Sequence, residues 1–426
     1  MTTVMLCVML VLLLAGFPMM MPLLGAALVA FFVFYPDLSL QLVIQQMIGG
    51  VKPAALIAVP MFILAADIIT RGHSADRLVD VVMRFMGHIR GGLAVSVTTA
   101  CAMFGAVCGS TQATVVAIGG AMRPRMLRAG YNDSFSIALI INAADLAYLI
   151  PPSIGMIIYG VISGTSISEL FIAGLGPGIL IIVLFSMYCM WYAKKHNIPI
   201  EPKASWKERL TSLRRAMWPA GFPLIIVGGI YGGIFSPTEA AAICVMYAII
   251  LELVIFRSIK LKDLGDIAVS TGAITSVVFI LIAAGAAFSW LLSYAQIPQQ
   301  IIASLGLEGA SALTTLIAIN IAFFVGCMFV DSIVVILILV PIFAPLIKAT
   351  GLDPVLIGVM ITLQVAIGAA TPPFGCNIFT AVAVFKRPFI DVIRGIHPFL
   401  IILFVVTVLL VTFPEIALLP RDWAFR

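Results

Sequence analysis

Gly105-Ala106-Val107-Cys108-Gly109-Ser110-Thr111-Gln112, closed forty residues on by Ile150-Pro151-Pro152-Ser153, is the stretch whose reading decides the fold. It is apolar at both ends, small and polar in the middle, and followed by a proline pair inside hydrophobic sequence. A second stretch has the same layout: Gly326, then Asp331-Ser332, then Thr371-Pro372-Pro373-Phe374. Gly326 lies 221 positions after Gly105, and Pro345 after Pro124, Gly351 after Gly130, Pro372 after Pro151 and Pro373 after Pro152 keep the same offset. Proline removes a backbone donor and disfavours helix at the residue before it. Paired helix-breaking segments at corresponding places in two halves point to the binding site of a secondary transporter.

Composition sets the solvent. The 426 residues are 62% hydrophobic and 10% charged, with a mean hydropathy of +1.18. That balance belongs to an all-α polytopic membrane protein. At ~20 apolar residues per span, the runs give about ten crossings and two re-entrant hairpins. The net charge of +5 sits in loops and is no nucleic-acid signal. The seven cysteines have no C-x-x-C spacing, and the four histidines are scattered, so both read as packing and interfacial residues. H-E-x-x-H, G-x-x-x-x-G-K-[ST] and G-x-S-x-G motifs are absent from the sequence, which argues against an enzyme.

Basic residues orient the halves. Arg123, Arg125 and Arg128 follow the first polar hairpin, whereas Lys348 is the one basic residue around the second. The positive-inside rule puts the base of the first hairpin in the cytoplasm and that of the second outside, an inverted-topology repeat with both termini periplasmic. The first repeat is expected over 1–195, with scaffold at 1–90 and 168–195 and a transport part at 91–167. A cytoplasmic linker follows at 196–213. The second repeat runs over 214–426, with scaffold at 214–307 and 390–426 and a transport part at 308–389. Ser74–Arg90 alternates as an interfacial amphipathic helix. Residues 92–122 and 311–345 read as hairpins, and 133–166 and 354–385 as helices broken at the proline pairs.

Irregular backbone at membrane depth survives only against protein or a water-filled cavity. Free carbonyls before the proline pairs, with hydroxyls at the hairpin tips, form oxygen-rich sites suited to a hard monovalent cation. The half-helix N-termini beside them suit an anionic group. Intramembrane acids are functional by default, which singles out Asp145 and Asp331. Asp67 and Glu239 are assigned structural roles, Glu239 as part of a helix cap with Ser236 or Thr238.

Four segments resemble the large membrane subunit of tripartite ATP-independent periplasmic (TRAP) transporters. These are Phe104-Gly105 through Gly119, Ile150-Pro151-Pro152-Ser153-Ile154-Gly155, Gly232-Gly233-Ile234-Phe235-Ser236-Pro237-Thr238-Glu239-Ala240-Ala241-Ala242, and Thr371-Pro372-Pro373-Phe374-Gly375. The resemblance implies an elevator: hairpins and broken helices sliding against a scaffold. It implies two Na⁺ sites, one from Gly105, Gly109, Ser110 and the carbonyls near Leu149–Pro151, the other from Gly326, Asp331, Ser332 and Thr371. It also implies a small four-helix membrane partner, a soluble periplasmic binding protein, and Na⁺-coupled uptake of a small organic anion across the bacterial inner membrane. Gln112, Asp145, Ser153 and Asn377 are the candidate substrate contacts. Asn142-Ala-Ala-Asp145-Leu-Ala-Tyr148 and Thr111-Gln112 depart from the small residues common at these places. That leaves the substrate open between a carboxylate and a sulfonate. Proton coupling on the same architecture, and a passive channel, are the rival readings.

Overall fold

The computed structural model describes residues 1–425, and every regular element among them is helical. The chain opens with an antiparallel pair, α1 (Thr2–Leu14) and α2 (Met20–Phe34), joined through Gly16, whose positive φ makes the turn. Then come α3 (Gln41–Val51), a 3₁₀ turn (Ala54–Ile57) running into α4 (Ala58–Arg71), and the surface helix α5 (Ser74–Met86). The first hairpin is α6 (Gly92–Cys108) and α7 (Thr111–Arg128). The first broken helix is α8 (Asp133–Ala144), α9 (Leu146–Leu149) and α10 (Ile154–Ser163), and α11 (Ile167–Lys195) returns.

The second half has α12 (Trp206–Tyr231), then α13 (Pro237–Ile249) continued by a π-helical turn (Ile250–Ile255), and α14 (Asp263–Tyr294) with the short α15 (Ile297–Ser304). The second hairpin is α16 (Ala312–Phe329) and α17 (Ser332–Thr350). The second broken helix is α18 (Pro354–Ala369) and α19 (Cys376–Phe385). The chain closes with α20 (Phe389–Ile393), α21 (His397–Thr412) and α22 (Glu415–Ala424). Hairpin, broken helix and proline pair thus recur in one order in both halves.

Sequence signals set nine of the helix starts. Ser110, Asn132, Ser153, Ser166, Ser311, Asp331 and Asp353 each accept from a first-turn amide of the helix they precede. Ser205 with Glu208, and Ser236 with Glu239, form reciprocal capping boxes, so Glu239 holds the cap expected of it. The Ser205 amide and hydroxyl beside Glu208 hold its carboxyl below the usual range.

Three features depart from expectation. Helix α3 occupies 41–51, a stretch assigned to no element, and packs on α14. Within the stretch expected to join the halves, Trp206 already starts α12. Seven helices are long and apolar enough to cross a membrane, or eight if α21 and α22, bent by 63° at Phe413-Pro414, make one span; about ten were expected. Two of the seven are the arms of the second hairpin, α16 and α17, α12 is not among them, and α1, α2, α6, α18 and α19 are apolar but only 10–17 residues long. At ~1.5 Å per residue such helices reach at most about 26 Å, short of the ~30 Å hydrocarbon layer. Breaks that expose backbone for a site also shorten the pieces.

The broken helices sit at the centre. Every residue from Phe135 to Ala147, and from Val355 to Thr371, is buried. Small residues permit this packing. A Cβ at Gly358 would lie 2.4 Å from the Tyr159 ring, and one at Gly368 2.4 Å from Cys327 Cβ. Leu6, Leu10, Val11, Val33, Leu224, Val269, Val277 and Val408 present an apolar exterior to the hydrocarbon.

Candidate functional site

The two hairpin tips converge. Gly109, in left-handed conformation at φ +59°, ends α6 and lets Ser110 start α7 at once. A Cβ at Gly109 would stand 2.4 Å from the Pro152 carbonyl oxygen, so only glycine lets the first tip touch the first break. In the second half, the Phe374 amide donates to the Met328 carbonyl at 3.2 Å, joining the second break to its own hairpin. Both proline pairs contain a cis bond, Pro151-Pro152 and Pro372-Pro373.

Between the tips and helices α4 and α14 lies a cavity of about 320 Å³. Gly109, Ser110, Thr111 and Gln112 line it from the first tip, and Asp331, Ser332 and Ile333 from the second. Tyr148, Ile154 and Gly155 come from the first broken helix. The facing wall is Ile63, Ala66, Asp67 and Thr70 of α4, with Ile274 and Val278 of α14. The size falls at the small end of small-molecule sites.

The polar groups are unevenly arranged. The first turn of a helix leaves amides without intrahelical partners. Ser110 Oγ takes the Ala113 amide at 3.4 Å and Ser153 Oγ the Met156 amide at 3.3 Å. The starts of α7 and α10 at Thr111-Gln112 and Ile154-Gly155 border the cavity. Asp331 Oδ1 accepts from the Ile333 amide at 2.9 Å, and Ser332 Oγ lies 3.4 Å from the Tyr148 hydroxyl. Opposite, Asp67 pairs with Arg71 one turn on, Nε to Oδ1 at 3.0 Å.

The residues expected to bind substrate separate into two groups. Gln112 lies in the cavity wall, and Ser153 stands one residue behind it as the cap of α10. Asp145 and Asn377 do not reach the cavity. Asp145 is 2% exposed; its Oδ1 accepts from Asn377 Nδ2 at 2.7 Å, and Asn377 Oδ1 accepts from the Thr111 hydroxyl at 2.8 Å. Two side chains therefore stand between Asp145 and the cavity. The acid that faces it from α4 is Asp67, for which the sequence reading gave only a structural role. Position within or near an apolar span was a signal for both acids, but burial against the second broken helix distinguishes them, and no local pattern carries that.

Among the expected cation ligands, Gly109, Ser110, Asp331 and Ser332 line the cavity. Thr371 is buried and donates to the Ile367 carbonyl at 2.6 Å. Gly105 and Gly326 act as packing positions, where a Cβ would lie 2.8 Å from Ala147 Cα and 2.9 Å from Val335 Cγ1. The Leu149 carbonyl oxygen stands against α11, 2.4 Å from where a Gly174 Cβ would be. The carbonyl that stands beside Gly109 is that of Pro152.

The sequence profile described as "Tripartite ATP-independent periplasmic transporter, DctM component" matches residues 6–416. The ectoine TRAP transporter large permease protein TeaC of Halomonas elongata is 64% identical over 427 residues, covering 100% of both chains. The ectoine/5-hydroxyectoine large permease protein UehC of Ruegeria pomeroyi is also 64% identical, over 98% of both. The C4-dicarboxylate large permease protein DctM of Pseudomonas aeruginosa is 36% identical over 86% of both. In fold, the chain is similar to the solved YdaH transporter of Alcanivorax borkumensis, with a TM-score of 0.57 at 16% identity over 88% of each chain. Profile and relatives together span the chain from end to end, so it belongs to the DctM component family of TRAP transporters and is a large membrane permease subunit, not an enzyme.

Proposed function

We propose that this chain moves ectoine, or a closely similar cyclic zwitterion, inward across the inner membrane, driven by Na⁺. The observation that carries this is the uneven polarity of the cavity. The carboxylates of Asp67 and Asp331 line the same space as the N-terminal turns of α7 and α10. Ectoine joins a carboxylate to a delocalised amidinium on one small ring. Its carboxylate suits the amide-rich helix starts, where the helix dipole is positive, and its amidinium suits Asp67. The organic anion expected from the sequence thereby becomes a carboxylate that also carries a cation. Two relatives at 64% identity, named as an ectoine and an ectoine/5-hydroxyectoine TRAP transporter large permease, support the same substrate.

Na⁺ is the second cargo. Hard monovalent cations take oxygen ligands, and each hairpin tip offers them. The first tip offers the Ser110 hydroxyl, and its Gly109 stands beside the Pro152 carbonyl of the first break; the second tip offers Asp331 and Ser332, with Thr371 from the second break. The hairpins and broken helices form the moving part of an elevator, α4 and α14 belong to the stationary frame, and the halves lie inverted with both termini periplasmic. A small membrane subunit and a soluble binding protein complete the system, the latter delivering substrate.

The test is uptake of labelled ectoine by proteoliposomes holding this chain and its small subunit, with loaded binding protein outside. The expected result is accumulation under an inward Na⁺ gradient at fixed pH. Accumulation under a proton gradient without Na⁺, or uptake of C4-dicarboxylates in preference to ectoine, would overturn the proposal.

A further inference from the structure

The polar chain behind the cavity joins segments far apart in sequence. Thr111 starts α7 at the first hairpin tip, Asn377 stands in the first turn of α19 after the second proline pair, and Asp145 closes α8 before the first pair. All three are buried. The two halves do not share this arrangement. At the offset of 221, Asp145 corresponds to Ala366 and Asn377 to Met156. Each polar residue occurs in one half alone, and each meets its partner across the halves. A carboxylate and an amide that are apolar in the opposite copy, yet bonded to each other, form a specific junction between the copies.

The bonding pattern leaves little freedom. Asn377 presents its NH₂ to Asp145 and its oxygen to Thr111. A carboxyl oxygen only accepts from that NH₂, so Asp145 fixes which way the amide faces. Reversing the amide would break the bond to the Asp145 carboxylate, whereas the Thr111 hydroxyl accepts as readily as it donates. Asp145 Oδ2 has no partner, and neither has Asn142 Oδ1 one turn earlier. Unmet buried acceptors weaken a fold; a residue kept for stability alone would be better satisfied by an apolar side chain.

We infer that Thr111, Asn377 and Asp145 form a latch coupling the first hairpin tip to the second broken helix, with Asp145 as the positioning residue that orients Asn377. With the latch closed, the tip is held against the cavity wall. With it open, the tip leaves that wall and the second broken helix is freed in the same event. Both halves of the site then change state together, where independent hairpins would release their cargo separately. The role in transport rests on the uptake function proposed above; the latch itself does not.

The experiment is a donor–acceptor swap on the full chain in complex with its small subunit. Asn377→Asp sets two carboxylates face to face. Asp145→Asn with Asn377→Asp restores both bonds, since Asn at 145 donates to Asp at 377, which still accepts from Thr111. Thr111→Val removes the last link without altering charge. Amide exchange over residues 105–114 is measured by mass spectrometry on detergent-solubilised protein without substrate, and ectoine uptake beside it. Asn377→Asp and Thr111→Val are expected to speed exchange at the tip about ten-fold, and the swap to return it to within about three-fold of the parent. Uptake should follow the same order. A swap no better than Asn377→Asp, or unchanged tip exchange in both single variants, overturns the latch. If the parent protein takes up no ectoine, the function proposed above fails while the exchange data still decide the latch.

Discussion

The two hairpins share a layout, and their surroundings differ. In the first, nearly all of α6 is buried, and its tip needs a left-handed glycine to reach the Pro152 carbonyl. In the second, α16 keeps an exposed apolar stripe through Leu313, Ile317, Ile321 and Val325, with Ile321 58% exposed. Its tip turns through Val330 in ordinary extended conformation, φ −130°. The position matching Gly109 is thus not a glycine. In the first, the exposed row lies on α7 after the tip, at Gln112, Val116 and Gly120; in the second it lies on α16, before the tip. One motif repeated twice does not give two sites of equal tolerance, because the backbone approach that fixes a tip is made by neighbours outside the motif.

The sharpest way to break this comparison is at the tips themselves. Gly109→Val combines a positive φ, costing roughly 1–2 kcal/mol for a side-chain residue, with collision against backbone. Uptake is expected to fall below detection, while Val330→Gly keeps most of it. Equal loss in both would mean the tips are alike after all.

A milder probe uses the matched glycines one turn earlier. A Cβ at Gly105 meets the Ala147 backbone, which cannot give way, while one at Gly326 meets the Val335 side chain, which can turn. Gly105→Ala should lower thermal stability by roughly 1–3 kcal/mol, the usual range for overpacking, and Gly326→Ala by clearly less. Scanning fluorimetry of the purified complex measures both, and a reversed order would refute the rigidity argument.

Asp67 sharpens the contrast between frame and tips. Asp67→Asn removes one carboxylate from the cavity wall and should raise the KM for ectoine about ten-fold, consistent with loss of a charge-assisted bond. Its Na⁺ half-saturation should stay unchanged. Ser110→Ala and Ser332→Ala should do the reverse, raising the Na⁺ half-saturation about three-fold with little change in substrate KM. A substrate effect from the serines and none from Asp67 would reassign the wall.

The smallest effect belongs to Tyr148. Its hydroxyl lies 3.4 Å from Ser332 Oγ, a long contact. Tyr148→Phe is expected to change uptake by less than about two-fold. A larger loss would give this residue a substrate contact of its own.

The sequence by itself determined the class, the order of elements and the places where helices stop. Apolar runs, cap residues such as Ser236 with Glu239, and proline pairs at a fixed offset are local signals, and local physics enforces them. Resemblance in four short segments was enough to name the family, since those residues are the breaks and caps themselves. What only the tertiary structure decided is which polar groups share a space. Asp67 and Asp145 both stand within apolar spans, and although Arg71 pairs with Asp67 one turn on, neither local sequence says which acid faces the cavity. Asp145 lies behind Asn377, 232 positions away in the chain, and Asp67 faces the tips because α4 packs beside α6. The direction of the Leu149 carbonyl depends in the same way on the close approach of Gly174. Burial and facing are set by which helices meet, and those contacts form between residues too distant in sequence for any periodicity to record.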